Sequence, residues 1–269
     1  MADALLEARA VSKVYRHRAG PFQRAGTVRA VDGVSCRLTR GEALGLVGES
    51  GCGKTTLAKL LIGLLAPSQG DVLVRGRPLG RLRGEPLRAA RRMVQFVFQD
   101  PLNSLNPRMT VEETLGEPLI VHRLAAGAAA RRARVDGLLE SVQLPTTYRT
   151  RLPRQLSGGE RQRVGVARAL ATGPEVLICD EPIASLDVSV GAQMLELLRR
   201  VNRERGTALL FISHDLRAVA SLCERVAIMR QGQLIETAPT DQLLDRPGHP
   251  YTGLLIRSAE LDLDAAETL

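Results

Sequence analysis

The sequence predicts an α/β fold with an inserted helical segment, and three observations carry that prediction. An apolar run, Ala43-Leu44-Gly45-Leu46-Val47, leads straight into Gly48-Glu49-Ser50-Gly51-Cys52-Gly53-Lys54-Thr55, and helical spacing follows from Leu57 to Leu65. A second apolar run, Leu177-Ile178-Cys179, ends in two acids, Asp180 and Glu181. Between the two, from about Pro101 to Pro153, strand-like runs give way to apolar residues at helical periodicity.

Taken in order, Leu5 to Val11, Val28 to Val31, Val34 to Leu38 and Ala43 to Val47 read as short strands. Gly20, Pro21 and Gly26 mark a polar loop between the first two. Val72 to Val74 and Val94 to Phe98 are further strands. Val111 to Ile120 and Ala128 to Val142 have helical spacing, and Pro118 is expected to end or kink the first. The β/α alternation then resumes. Glu160 to Ala171 is a helix, Val176 to Cys179 a strand, Val190 to Val201 a helix and Ala208 to Ile212 a strand. Val226 to Met229 and Gln233 to Glu236 form a hairpin turned by Gln231-Gly232. From His249 a short helix and an acidic, frayed end are expected.

A chain of 269 residues suffices for one large α/β domain or one domain with an insert. Aromatic residues make up 3% and Trp is absent, so the core must be built from Leu, Val, Ala and Ile. The net charge of +8 is carried almost wholly by arginine, since lysine occurs only at 13, 54 and 59. Such charge suits a nucleic-acid or anionic-membrane surface, or simply an arginine-rich solvated face. The arginines are dispersed and not interleaved with aromatics, which favours the solvated face. No nucleic-acid partner is expected. Cys36, Cys52, Cys179 and Cys223 form no C-x-x-C pair, so neither a zinc site nor a disulfide framework is suggested, and a reducing cytoplasm fits. The N-terminus has acids and no long apolar core, unlike a signal peptide. No stretch reaches the ~18 apolar residues of a spanning helix.

The octet fits G-x-x-x-x-G-K-[ST], a phosphate-binding loop, and every part answers to phosphate chemistry. The glycines at 48, 51 and 53 let backbone N–H groups point inward at phosphate oxygens. Lys54 brings a cation to the β/γ-phosphates, the Thr55 hydroxyl can ligate Mg²⁺, and the helix that follows favours an anion at its N-terminus. For Cys52 packing is the simpler reading. At the end of the second apolar run Asp180 can hold Mg²⁺ and Glu181 can polarise an attacking water. In isolation, such an acidic pair could equally just end a strand. Leu156-Ser157-Gly158-Gly159-Glu160 precedes another helix; Ser157 suits its cap, and the glycine-led N-terminus reads as an ordinary cap or as a second phosphate cradle.

These motifs, in this order, resemble the ATP-binding subunit of an ABC transporter over nearly the whole chain. The resemblance implies a P-loop NTPase (ABC ATPase) core, 1–99 and 154–269, with an antiparallel β subdomain and an inserted α-helical subdomain at about 100–153. It implies ATP and Mg²⁺ as ligands. Gly48, Glu49, Ser50, Gly51, Cys52, Gly53, Lys54, Thr55 and Thr56 would bind ATP, with Tyr15 stacking on adenine. Tyr15 could also be plain packing. Thr55, Gln99 and Asp180 would hold Mg²⁺, and Gln99, Glu181, His214 and Lys54 would serve hydrolysis. Ser157, Gly158, Gly159 and Glu160 match the signature that closes a partner subunit's ATP site, and Ser185, Leu186 and Asp187 match the D-loop. Its approach, Pro182-Ile183-Ala184-Ser185, departs from the family's frequent Thr-Ser-Ala order.

Asp100 to Arg108 and His249-Pro250-Tyr251-Thr252-Gly253-Leu254-Leu255 are similar to the peptide/nickel branch of bacterial importers. That implies a second, different ATP-binding subunit as heterodimer partner, two transmembrane permease subunits and an extracytoplasmic solute-binding protein. It also implies a peripheral position on the cytoplasmic face of the inner membrane. The chain ends soon after the His-Pro-Tyr motif, without the longer cysteine-bearing tail of many peptide-type members, which leans the expectation towards nickel or a metal chelate. Open alternatives are a soluble ABC ATPase acting on nucleic acid or the ribosome, a non-hydrolysing scaffold, and an exporter subunit.

Overall fold

A computed structural model describes residues 4–17, 26–99 and 104–266. The expected loop at Gly20 and Pro21, and the importer-like residues 100–103, lie outside the described residues. Two compact units emerge, one from segments 1–82 and 208–269, the other from 83–207.

In the first unit, β1 (Ala4–His17) pairs antiparallel with β2 (Gly26–Thr39) and, on its other side, with β4 (Gln69–Val74), which pairs with the short β5 (Arg77–Pro78). The two strands expected between Val28 and Leu38 are one continuous strand. Register shifts along β1 near Ala8–Val11 absorb the break in apolar alternation, and Ala10 there has φ +46°. The unit's other strands run in the order β10 (Gln233–Pro239), β9 (Arg225–Arg230), β3 (Ala43–Val47), β8 (Ala208–Ile212). β3 is parallel to both neighbours, β8 and β9, and all five residues of β3 and of β8 are buried. Continuous apolar runs suit strands covered on both faces.

Helix α1 (Lys54–Leu61) begins three residues earlier than its apolar pattern, because the loop residues Lys54 and Thr55 are already helical. It stops at Leu61, not Leu65; the chain turns at Gly63, which has φ +71°.

The second unit opens with α2 (Gly84–Met93), an arginine-rich helix whose few apolar residues hid it from the sequence reading, and β6 (Val94–Val97). β6 pairs in parallel with β7 (Val176–Asp180). Helices α3 (Val111–Val121), α4 (Gly127–Ser141), α5 (Gly158–Leu170) and α6 (Val188–Arg205) complete it. Pro118 does not end α3, which runs on to Val121. A capping box starts that helix: Thr110 Oγ1 accepts from Glu113 N–H at 3.2 Å, and the Glu113 carboxylate accepts from Thr110 N–H at 2.7 Å. Leu115, Leu119, Val135 and Leu139 form a fully buried apolar seam between α3 and α4.

The first unit ends with three helices: α7 (Leu216–Leu222), α8 (Thr240–Asp245) and α9 (Pro250–Ala266). α7 and α8, at seven and six residues, are too short for a 3.6-residue period to show. α9 runs to 17 residues where a short helix and frayed end were expected.

Candidate nucleotide site

In the first unit the chain leaves β3 at Val47 and turns through Gly48–Gly53 into α1. Gly48 is required by close approach: a Cβ there would lie 2.1 Å from the Met229 carbonyl oxygen and 2.8 Å from Cys52 Sγ. The Lys54 ammonium donates to the carbonyls of Gly48 at 2.6 Å and Glu49 at 2.9 Å, so it lies folded over the start of the loop. Cys52 is buried and its thiol is pushed up by that burial, which fits packing rather than redox chemistry. All four cysteines are free thiols.

The loop is held from outside. The β9–β10 turn has positive φ at both Gln231 (+48°) and Gly232 (+84°), the geometry of a type I′ hairpin. Gly232 N–H donates to the Cys52 carbonyl at 2.9 Å, and the Gly232 carbonyl accepts from Asp32 N–H at 2.8 Å. The turn is legible in the sequence; its hold on the phosphate loop, made with residues far back in the chain, is not.

His214 lies two residues past the end of β8 and is exposed. Leu46 of β3 registers with Ile212 of β8, and Ser213 N–H donates to the Leu46 carbonyl at 3.2 Å. His214 and the phosphate loop therefore leave the same edge of one parallel strand pair, the carboxyl edge where α/β sheets bind ligands. Asp215 Oδ1 caps α7, accepting from Arg217 and Ala218 N–H groups at 2.9 and 3.1 Å. Tyr15 lies on β1 opposite Val28, about one-third exposed, with the Lys13 ammonium 5.6 Å from its ring centre.

In the second unit, Val97 registers with Cys179, so Gln99 and the Asp180–Glu181 pair leave the same edge of the β6–β7 pair. Asp180 is buried (3% exposed), and Gln99 is exposed in the bend after β6. Glu181 has φ +50°, a left-handed backbone that costs a non-glycine residue of order 1–3 kcal/mol and recurs at functional sites.

The signature residues cap α5. Ser157 Oγ accepts from Glu160 N–H at 3.2 Å, and the Glu160 carboxylate accepts from Ser157 N–H at 2.7 Å and the Tyr148 hydroxyl at 2.8 Å. Burial works to raise the Glu160 carboxyl, but these donors outweigh it and hold the acid below its ordinary range. Tyr148, with the Arg151 guanidinium 3.6 Å over its ring, was invisible in the sequence because nothing local ties it to residue 160. Asp187 is the N-cap of α6, its carboxylate accepting from Val190 N–H at 2.9 Å and the Ser189 hydroxyl at 2.8 Å. Within this unit the signature packs against the first turn of α6, into which the D-loop leads: a Cβ on Gly159 would lie 2.5 Å from Val190 Cγ1. Arg163, also on α5, donates from its guanidinium to the Val142 carbonyl at 3.0 Å and to Gln193 on α6, and burial lowers its pKa.

A phosphate group fits the chemistry of the first unit: a glycine-rich turn, packed too closely against backbone at Gly48 and Gly53 for any side chain, leads into a lysine and a helix N-terminus. Gln99 and Asp180 in the second unit are oxygen donors of the hard type Mg²⁺ prefers, and so, by itself in the first unit, is Thr55. Among the described residues there is no cluster of His, Cys, Asp and Glu built to hold a metal by itself, and no helix long and apolar enough to cross a membrane.

This is the fold and loop of a nucleotide-binding cassette, and the comparisons agree. The family described as "ABC transporter" matches residues 31–184, and the chain belongs to that family. It is 44% identical over 97% of its length to the oligopeptide transport ATP-binding protein OppF of Bacillus subtilis, covering 84% of that protein. It is 42% identical to OppF of Escherichia coli, over 92% of this chain and 75% of that one. Among solved structures, the ATP-binding cassette MJ0796, bound to ADP and Pi in a dimeric post-hydrolysis state, superposes with a TM-score of 0.78 at 30% identity, covering 87% of this chain and 98% of that one.

Proposed function

We propose that this chain is the ATP-hydrolysing subunit that energises a bacterial ABC importer of peptides. The observation that carries the reading is the cradle at Gly48 to Thr55, with Lys54 poised over it, in a chain of this family. The solute is taken from the relatives, which are named for oligopeptide transport and match this chain over most of their own length. They support peptides over nickel or a metal chelate. None of them supports action on nucleic acid or export.

ATP with Mg²⁺ supplies the phosphoryl group whose transfer to water drives the cycle. The loop amides of Gly48 to Thr56 and the α1 N-terminus bind the phosphates, and Tyr15 stacks on the base. Lys54 gives up the Gly48 and Glu49 carbonyls for the β/γ-phosphate oxygens, where its charge offsets what develops in the transition state. Thr55, Asp180 and Gln99 would hold Mg²⁺, which would offset the charge of the phosphates. Glu181 accepts the proton of the attacking water, and His214 hydrogen-bonds at the γ-position. Ser157 to Glu160 close the site of a second, different ATP-binding subunit, and Ser185 to Asp187 relay between the two sites. Residues of about 100–153 form a helical subdomain that passes closure to two permease subunits, the remainder, 1–99 and 154–269, being the core. The subunit works peripherally at the cytoplasmic face of the inner membrane, with an extracytoplasmic binding protein delivering solute.

Reconstitution with its permease and ATPase partners in vesicles tests this. Peptide-loaded binding protein should stimulate ATP hydrolysis, and nickel or a nickel chelate should not; stimulation by nickel alone would overturn the peptide assignment.

A further inference from the structure

The His-Pro-Tyr segment that opens α9 has no part in the function described so far, yet it reaches the phosphate loop. Tyr251 is 4% exposed, and its hydroxyl accepts a hydrogen bond from the backbone N–H of Glu49, at the long distance of 3.4 Å. Burial raises the phenol's pKa; the Glu49 N–H pulls it down, the Glu49 side chain and Cys52 push it back up, and the net shift is upward, so this hydroxyl stays protonated beside the loop. The Arg230 guanidinium lies 4.6 Å over the Tyr251 ring and fixes it from the other side.

The segment is itself tightly held. Glu236 on β10 accepts from Gly248 N–H at 2.7 Å, from His249 N–H at 3.1 Å and from the Thr252 hydroxyl. His249 Nδ1 accepts from Tyr251 N–H at 3.1 Å, which caps the helix. Thr252 is completely buried.

The consequence lies in the Glu49 peptide. Its carbonyl is occupied by the Lys54 ammonium at 2.9 Å and by Cys52 N–H at 3.3 Å. When Lys54 turns to a phosphate, that carbonyl loses its strongest donor, while the Tyr251 contact on the N–H side remains. Gly232 holds the loop farther along, at Cys52. We propose that Tyr251 is a positioning residue: clamped by Glu236, it braces the first turn of the phosphate loop and keeps the cradle shaped for nucleotide as Lys54 changes partners. This rests on the reading of Gly48 to Thr55 as the ATP site.

The test uses the full chain and equilibrium binding of a fluorescent ATP analogue with Mg²⁺, together with steady-state kinetics in the assembled complex. Tyr251→Phe keeps the ring under Arg230 and deletes only the hydroxyl. It should weaken nucleotide binding about two- to tenfold, the range for one neutral hydrogen bond, and raise KM for ATP while kcat stays within about twofold. Amide hydrogen exchange at Glu49 should quicken in this variant while that at Gly232 does not change. Glu236→Gln, which loosens the clamp without touching the loop, should shift KM in the same direction. Unchanged affinity and unchanged Glu49 exchange in Tyr251→Phe would overturn the proposal. Lys54→Ala separates the two claims. If it also leaves binding intact, the ATP-site reading fails and this inference with it; if it abolishes binding while Tyr251→Phe is silent, only the brace is wrong.

Discussion

Gly159 and Val190 lie so close that no side chain fits between them: a Cβ on the glycine would stand 2.5 Å from Val190 Cγ1. The first residue is in the signature, and the second follows the D-loop by three positions and receives the Asp187 cap. The signature's second glycine is thus a packing requirement of α6. Valine is stiff at χ1 and cannot swing aside. Gly159→Ala should therefore displace the start of α5 or α6 and reduce ATP turnover of the assembled complex, while this chain alone still binds nucleotide at its own loop. Adding Val190→Ala should restore much of the lost turnover. A double-mutant cycle on turnover rates measures the coupling, and strict additivity would contradict the contact.

The Glu160 cap has a pH signature. Its carboxyl is held below the ordinary range, so its stabilisation is fully present above about pH 4.3, the unfolded value, and is lost as pH falls through the lower folded value. Glu160→Gln should consequently lower the melting temperature at about pH 7, and the gap from wild type should close as pH is taken towards about 3. Glu113 and Asp187 are shifted in the same direction by their own caps, so the variant keeps some acid sensitivity of its own. Thermal melts across this range decide the point, and a gap that widens on acidification would refute it.

Gly48→Ala should be more damaging than its single methyl suggests. The new Cβ would meet the Met229 backbone oxygen at 2.1 Å, and backbone cannot rotate away. The first residue of the cradle and β9 must part. Nucleotide affinity should fall by at least about tenfold, equivalent to roughly 1.4 kcal/mol, in the same binding assay.

Much of this was legible in the sequence because the signals were local. β3, β7 and β8 are short apolar runs bounded by turn residues, and the structure buries all three completely. Gln231-Gly232 announced its hairpin for the same reason, since a two-residue turn with positive φ at both positions depends on little beyond itself. α2, α7 and α8 were missed because an arginine-rich surface helix and helices of six or seven residues leave no readable period. Pro118 does not end its helix because a proline late in a helix removes one hydrogen bond, while the burial of Leu115 and Leu119 on either side still favours helix.

The site divides along the same line. The motif residues could be named from spacing, but their supports could not. Tyr148 under Glu160, Tyr251 against Glu49 and Gly232 on Cys52 join residues up to 202 positions apart, through contacts that only the folded chain creates.

The central claim is that this cassette spends ATP through Glu181. Phosphate release by the complex reconstituted with its partner subunits, with Glu181→Gln in this chain and the equivalent glutamate of the partner also replaced, tests it most directly. ATP should still bind, and turnover should fall about 10²- to 10⁴-fold, the contribution of a positioned general base. Phosphate release near the wild-type rate would contradict the account.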